Sequence, residues 1–147
     1  MANAVWTEGN AKLLKTSGGE YRVLGFGLPA DVDFTMNGER MNTCPAALAC
    51  RGVCYAKQGT YRFKNVVAAR HHNLSLSQRS DFADLIIADL ANKVVKSRKC
   101  RKPYNVVRLH DAGDFYSQSY LDAWAKVAAA YPAVIFYAYT KSVHLDM

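Results

Sequence analysis

Short apolar runs alternate along the chain with segments of helical periodicity. Runs rich in β-branched and aromatic residues predict three strands, at residues 21–27, 105–110 and 134–139. Apolar positions at helical spacing predict three helices, one over about 65–77, one that begins at Ser80 or Asp81, and one that Ser117 caps and Pro132 ends. Because strands separated by such helices pair in parallel through right-handed crossovers, we expect an α/β fold with a small parallel sheet and crossover helices.

Residues 30–62 interrupt this pattern. They are rich in turn-forming residues and contain three of the four cysteines. A loop of this length in a small domain is usually functional. The carboxyl ends of parallel strands gather at one edge of the sheet, where α/β proteins place their functional groups. We therefore expect this loop, residues 110–114 and residues 140–142 to meet at that edge.

Length and composition narrow the class of protein. The 147 residues favour a single domain over 1–147, which is long enough to fold without disulfides or a metal. No stretch approaches the roughly 18 apolar residues of a membrane span, and the first residues lack the pattern of a secretory signal. The expected location is the cytoplasm, or the cytoplasm of the host cell if the protein is viral. No membrane partner is expected.

Positive charge is unevenly distributed. The formal net charge is +7, and residues 41–80 contain no Asp or Glu. Such a segment attracts anions, whether nucleic acid, phosphate, an anionic cofactor or a thiolate-ligated cluster. A second basic run covers residues 93–102, and an ordinary solvated surface explains that run equally well.

Three cysteines are the strongest candidate metal ligands. Cys44, Cys50 and Cys54 place their thiols within eleven residues. Clustered cysteines without a secretory signal are more often metal ligands than disulfides. A loop of this kind can hold three corners of an iron–sulfur cluster, for which Arg51 and Lys57 are expected to lower the thiol pKa values. Zinc is the second choice, because the chain has no C-x2-C pair of the kind common in zinc sites. The third possibility is that the three cysteines are buried and bind no metal.

The fourth ligand of such a cluster stays open. Cys100 precedes the second strand and is therefore expected at the opposite edge of the sheet. A small molecule, or a side chain such as His110 or Asp111, could serve instead.

A second dense spot follows the second strand. Its candidate cofactor-binding residues are His110, Asp111, Gly113 and Asp114. The two carboxylates could hold an amine, a ribose hydroxyl or a metal, the imidazole could ligate or transfer a proton, and the glycine permits close backbone approach. The plain alternative is a strand-end turn in which Asp114 caps locally and Arg108 pairs with it.

Aromatic and basic residues are also interleaved here. This pattern is typical of single-stranded nucleic-acid binding by stacking and charge, although most of these rings could instead be core residues or shield a cluster. The residues concerned are Tyr55, Tyr61, Phe63, Phe115 and Tyr116, with Arg51, Arg62 and Lys64.

Three blocks of the sequence resemble a known family. They are 44–61, with the three cysteines and Tyr55-Ala56-Lys57-Gln58-Gly59-Thr60-Tyr61; 108–117, with Arg108-Leu109-His110-Asp111-Ala112-Gly113-Asp114-Phe115; and 139–142, Tyr139-Thr140-Lys141-Ser142. Across roughly residues 20–142 the chain resembles phage proteins of the gene product 88 type, which look like reduced relatives of radical S-adenosylmethionine (SAM) enzymes.

This resemblance implies a cluster-binding partial (β/α) barrel. It implies a [4Fe–4S] cluster, and SAM as a possible second cofactor, with radical-SAM-like or electron-transfer activity. The motif departs from the C-x3-C-x2-C loop of radical-SAM enzymes, because Lys57 follows Cys54 where a third cysteine would stand and Cys44 would substitute from upstream. The alternative function is a basic nucleic-acid-binding or structural phage protein with a zinc-stapled loop. A small open sheet also favours a homo-oligomer.

Overall fold

The computed structural model describes residues 3–8, 15 and 18–147. They form a mixed α/β fold with a four-stranded sheet, a separate two-stranded hairpin and four α-helices. The strands are β1 Thr7–Glu8, β2 Val23–Phe26, β3 Asp33–Met36, β4 Glu39–Asn42, β5 Val106–Leu109 and β6 Ile135–Ala138. The helices are α1 Cys50–Val53, α2 Lys64–Ser77, α3 Phe82–Val94 and α4 Gln118–Ala130.

The main sheet has the strand order β1-β2-β5-β6. It is a mixed sheet, whereas the sequence predicted a parallel one. The three predicted strands are confirmed and pair in parallel, whereas β1 pairs antiparallel with β2. β1 has two residues, and both are exposed. It therefore lacks the apolar alternation by which a strand is predicted.

The register of the parallel strands aligns their carboxyl ends. Phe26 lies opposite Leu109, and Leu109 lies opposite Ala138. Three chain segments therefore leave the sheet side by side at one edge, and the expectation that they meet there is confirmed.

The segment 30–62 is more regular than the predicted loop. β3 and β4 form a hairpin joined by Asn37 and Gly38, whose φ angles of 53° and 82° suit the tight turn typical of an Asn-Gly pair. α1 follows, and then two short 3-10 turns at Tyr55–Lys57 and Gly59–Arg62. The hairpin and these turns give the three cysteines a defined scaffold.

The helix boundaries agree with the sequence to within a few residues. Ser117 caps α4 as predicted, because its hydroxyl oxygen accepts the Tyr120 N–H at 3.2 Å. The first predicted helix, α2, begins at Lys64, after an extended Phe63, and its N-terminus has no side-chain cap. Asp81 precedes α3 without capping it and instead pairs with Arg79.

The core lies where the sheet packs against α3 and α4. Its largest contacts are aromatic: the ring of Phe26 lies 5.0 Å from Trp124, and that of Phe82 lies 5.6 Å from Trp124. The buried strand residues are Val23, Leu24, Phe26, Val106, Val107 and Leu109. Each such side chain contributes on the order of 2 kcal/mol by burial, so this core holds the strand ends in place.

Two surface features complete the fold. β6 is an edge strand of four residues, Ile135–Ala138, without charge or proline. Among the described residues, no helix combines the length and the apolar character needed to cross a bilayer.

Candidate functional site

A cavity of about 390 Å³ lies at the carboxyl edge of the parallel strands. Four separate segments form its walls, and they include the three clustered cysteines and all four candidate residues after the second predicted strand. The lining residues are Ala30, Cys44, Ala47, Cys50, Cys54, Tyr55, Ala56, Arg108, His110, Asp111, Ala112, Gly113, Asp114, Tyr139 and Lys141.

The three clustered cysteines share this cavity, and the fourth does not. Cys44 follows the hairpin, Cys50 begins α1, and Cys54 comes directly after α1. All three are half-buried and free. Cys100 lies between α3 and β5, where its thiol donates to the Lys93 carbonyl at 3.2 Å. It is absent from the cavity wall, as its position before β5 predicted.

The thiols line one space without converging on one point. Among residues 3–8, 15 and 18–147, no three His, Cys, Asp or Glu side chains are placed to hold a single metal ion. A zinc ion would need such convergence, because its thiolate bonds are only about 2.3 Å long.

Cys44 is held by backbone and side-chain contacts. Its sulfur accepts the Asp31 N–H at 3.4 Å, and its own N–H donates to the Asn42 amide oxygen at 2.7 Å. Burial raises the pKa of this thiol above its usual value. The expectation that Arg51 and Lys57 lower the thiol pKa is wrong for Cys44, because burial raises this pKa and only the hydrogen bond from the Asp31 N–H opposes the rise.

Both of these cations are bound to one carboxylate. Arg51 lies 3.1 Å and Lys57 lies 2.7 Å from Asp31. The hydrogen bond from Lys57 lowers the pKa of Asp31. These ion pairs connect the residues before β3 to α1 and to the first 3-10 turn. Because two cations share one carboxylate, the group carries one excess positive charge.

Backbone hydrogen bonds attach the cysteine segment to the strand ends. The Asp114 N–H donates to the Thr43 carbonyl at 2.7 Å, and the Leu28 N–H donates to the Ala112 carbonyl at 2.9 Å. The Tyr55 hydroxyl donates to the Asp111 carbonyl at 2.5 Å. The cavity walls therefore support one another.

Asp111 is engaged by an arginine that sequence reasoning missed. Arg70, on α2, donates two hydrogen bonds to its carboxylate, at 2.8 and 2.7 Å. The guanidinium also lies 5.1 Å from the centre of the Tyr61 ring. Gly27 makes room for the pair, because a Cβ there would collide with both side chains. Asp111 is thus already neutralised within the fold.

Asp114 joins β5 to the segment after β6. Its carboxylate accepts the Phe115 N–H at 2.8 Å, the Thr140 hydroxyl at 2.5 Å and the Lys141 N–H at 2.9 Å. This agrees with the local-cap alternative, except that Arg108 forms no ion pair with it in the described part of the chain. Instead, Arg108 lines the cavity, and its Nε is buried without a hydrogen-bond partner.

His110 is a buried, neutral side chain. It has a φ of 61°, and its Nε2 lies 2.9 Å from the Tyr120 hydroxyl. Burial lowers its pKa to about 4, against the opposing effect of Asp114 and Asp111. Its Nδ1 is buried without a partner in the described structure. At neutral pH one ring nitrogen therefore keeps a free lone pair or N–H.

Gly113 permits the tight turn after β5. Its φ is +79°, and a Cβ there would lie 2.6 Å from the Leu28 Cβ. Only glycine adopts this conformation without strain and also leaves room for Leu28, two residues after β2. The predicted close backbone approach is therefore present, although the partner is the protein itself.

We expect Gly113→Ala to lower the free energy of unfolding by about 2–4 kcal/mol, the sum of left-handed strain and overpacking. Urea denaturation measures this change. Gly52→Ala is the matched control, because nothing lies within 4 Å of its added Cβ and its backbone is helical. Equal stability of the two variants would contradict the described packing of this turn.

The sequence was compared with those of known proteins. The protein family described as Gene product 88 matches residues 4–147. The chain belongs to this family. It is similar to the Gene 88 protein of Mycobacterium phage L5, with 34% identity over 118 residues, and to that of Mycobacterium phage D29, with 33% identity over 118 residues.

These matches cover 78% of this chain but 46% of each relative. The chain thus spans about half the length of the curated relatives that it matches. No solved structure matches it. Membership of the gene product 88 family, the resemblance noted from the cysteine and strand-end blocks, is confirmed, and its iron–sulfur and radical-SAM components stay predictions.

Proposed function

We propose that this phage-family protein binds a [4Fe–4S] cluster through Cys44, Cys50 and Cys54. The observation that carries the proposal is that three half-buried thiols, and not the fourth cysteine, line one cavity at the carboxyl edge of the sheet. Ligands of a polynuclear cluster bind different irons, so they surround a space and do not meet at one point.

The chain also offers groups suited to hold and tune such a cluster. The Asp31 N–H points to the Cys44 sulfur, and hydrogen bonds to ligating sulfurs adjust cluster potentials. Arg108 brings a positive charge to the cavity wall that would offset thiolate charge. Because burial keeps the Cys44 thiol protonated, ligation at that residue would release a proton.

The contacts of the two candidate side chains favour His110 over Asp111 as the fourth ligand of the cluster. Asp111 is held by Arg70, whereas His110 keeps an unpartnered Nδ1. Small molecules are the other class of fourth ligand, and a cavity of about 390 Å³ falls within the range of ligand pockets. SAM is the small molecule that the radical-SAM resemblance suggests. A bound cluster would supply one-electron transfer.

The proposal extends to the fold, the oligomeric state and the location of the protein. β2, β5 and β6 form a parallel run with helical crossovers, which is the repeating unit of a (β/α) barrel. The open, uncharged β6 edge favours a homo-oligomer. The host cytoplasm suits the protein, because reducing compartments preserve free thiols. The second candidate is a zinc-stapled loop, which the presence of three clustered thiols on one cavity wall favours.

Purification without oxygen, followed by iron, sulfide and zinc analysis, tests the proposal. We expect about four irons and four sulfides per chain and a brown colour that dithionite bleaches. SAM is then titrated into the loaded protein, and a changed cluster spectrum would support it as the fourth ligand. Stoichiometric zinc without colour would overturn the cluster proposal and establish the zinc alternative.

A further inference from the structure

The mouth of the cysteine cavity carries exposed aromatic rings. Tyr55 is 59% and Tyr139 is 78% exposed, and both line the cavity. Phe63, which is 57% exposed, follows the second 3-10 turn, and Tyr61 of that turn contacts the Tyr55 ring at 5.6 Å. We call Tyr55, Phe63 and Tyr139 the aromatic rim. Large exposed rings grouped in this way indicate a contact surface.

Three cations next to these rings in the chain lack a carboxylate partner within the described structure: Arg62 and Lys64 flank Phe63, and Lys141, which lines the cavity, lies two residues after Tyr139. In the described part of the chain, the side chains of Arg62, Lys64 and Lys141 form no ion pair. The nearby carboxylates are already engaged, since Asp111 is bound by Arg70 and Asp114 by the Thr140 hydroxyl and two backbone N–H groups. Arg51 and Lys57 share the single charge of Asp31. The mouth therefore attracts anions.

We propose that the aromatic rim and these cations bind single-stranded nucleic acid across the cavity mouth. Bases stack on exposed rings while lysine and arginine follow the phosphates, and this combination needs no particular base sequence. A duplex hides the faces of its bases, so the rings could not contribute to binding it. The inference is independent of the proposed cluster, because it uses the mouth of the cavity and not the thiols.

The second basic run provides a contrasting surface. Residues 96–102 lie between α3 and β5, at the amino end of β5 and so at the opposite edge of the sheet. If binding depended on net charge alone, this run would contribute as much as the rim. Charge reversal at the rim and at residues 96–102 therefore distinguishes a defined binding site from attraction by net charge alone.

Fluorescence anisotropy with a labelled thymidine oligonucleotide of about 12 nucleotides, within the site sizes of single-strand binders, tests the proposal. We expect tighter binding of the single strand than of a duplex of equal length, and affinity that falls steeply between about 50 and 200 mM salt. Equal affinity for the duplex, or no binding at low salt, would overturn the proposal.

Variants then locate the site. Tyr139→Ala should weaken binding about tenfold, through loss of one stacked base, while Tyr139→Phe should bind as the natural protein does. The double variant Arg62→Glu and Lys141→Glu should weaken binding and flatten its salt dependence, and the matched control Lys99→Glu and Arg101→Glu should change both less. Equal losses in the two double variants would refute a site at the rim.

Metal content is measured on the same samples. Intact metal with no oligonucleotide binding would reject this inference and leave the cluster proposal standing. Oligonucleotide binding by protein that holds no iron would support this inference and reject the cluster proposal.

Discussion

Cys50→Ala protein, purified without oxygen, is expected to hold no stable iron–sulfur cluster and to be colourless. Cys50 begins α1 and lines the cavity between the other two thiols in the chain. Loss of one of three protein ligands leaves two thiolates to hold four irons, which is too few for a cluster normally held by cysteines at its corners. Iron and sulfide analysis with an absorption spectrum gives the result directly.

The control for this variant is Cys100→Ala. Cys100 lies away from the cavity, with its thiol bound to the Lys93 carbonyl. We expect this protein to keep its full iron and sulfide content and its colour. Retention of all iron by Cys50→Ala would remove Cys50 from the ligand set, and loss of iron in Cys100→Ala would show that the wrong cysteines had been assigned.

Arg70→Met is expected to lower the free energy of unfolding by about 3–5 kcal/mol, because removal of one partner leaves a largely buried charge uncompensated. The side chains of Arg70 and Asp111 are only 11% and 16% exposed, and the pair is bidentate. Urea denaturation measures the loss. Combining Arg70→Met with Asp111→Leu should restore part of it, because the double variant buries no unpaired charge.

A surface pair provides the comparison. Arg79 and Asp81 also form two hydrogen bonds, but their side chains are 50% and 47% exposed. We expect Arg79→Met to change the free energy of unfolding by about 0–1 kcal/mol, since water screens such a pair. Similar losses in Arg70→Met and Arg79→Met would show that the Arg70 pair is not buried as described.

Much of the fold could be predicted because its signals are local. The three parallel strands are short runs of apolar residues, and the Ser117 cap stands directly before its helix. Parallel pairing then placed the cysteine segment and residues 110–114 at one edge. The Asn37–Gly38 hairpin was missed although its turn pair is visible in the sequence, because each of its strands has only four residues and neither strand buries a side chain fully.

The contacts of the site were harder to predict because they join distant residues. Arg70 is 41 residues from Asp111, and Tyr55 is 56 residues from the carbonyl it binds. No local pattern specifies such partners. The burial of His110 could likewise not be predicted from the sequence, because a histidine that follows a strand can be either exposed or buried.

The cavity wall draws on residues that are far apart in the chain. Ala30 and Cys44 come from its first third, whereas Tyr139 and Lys141 come from its last ten residues. During synthesis the three thiols leave the ribosome long before β5 and β6 exist to face them, and such non-local strand pairing is slow. The cavity wall is therefore complete only after β6 and residues 139–141 have been made, and until then the three thiols lack the surface that they face in the folded protein.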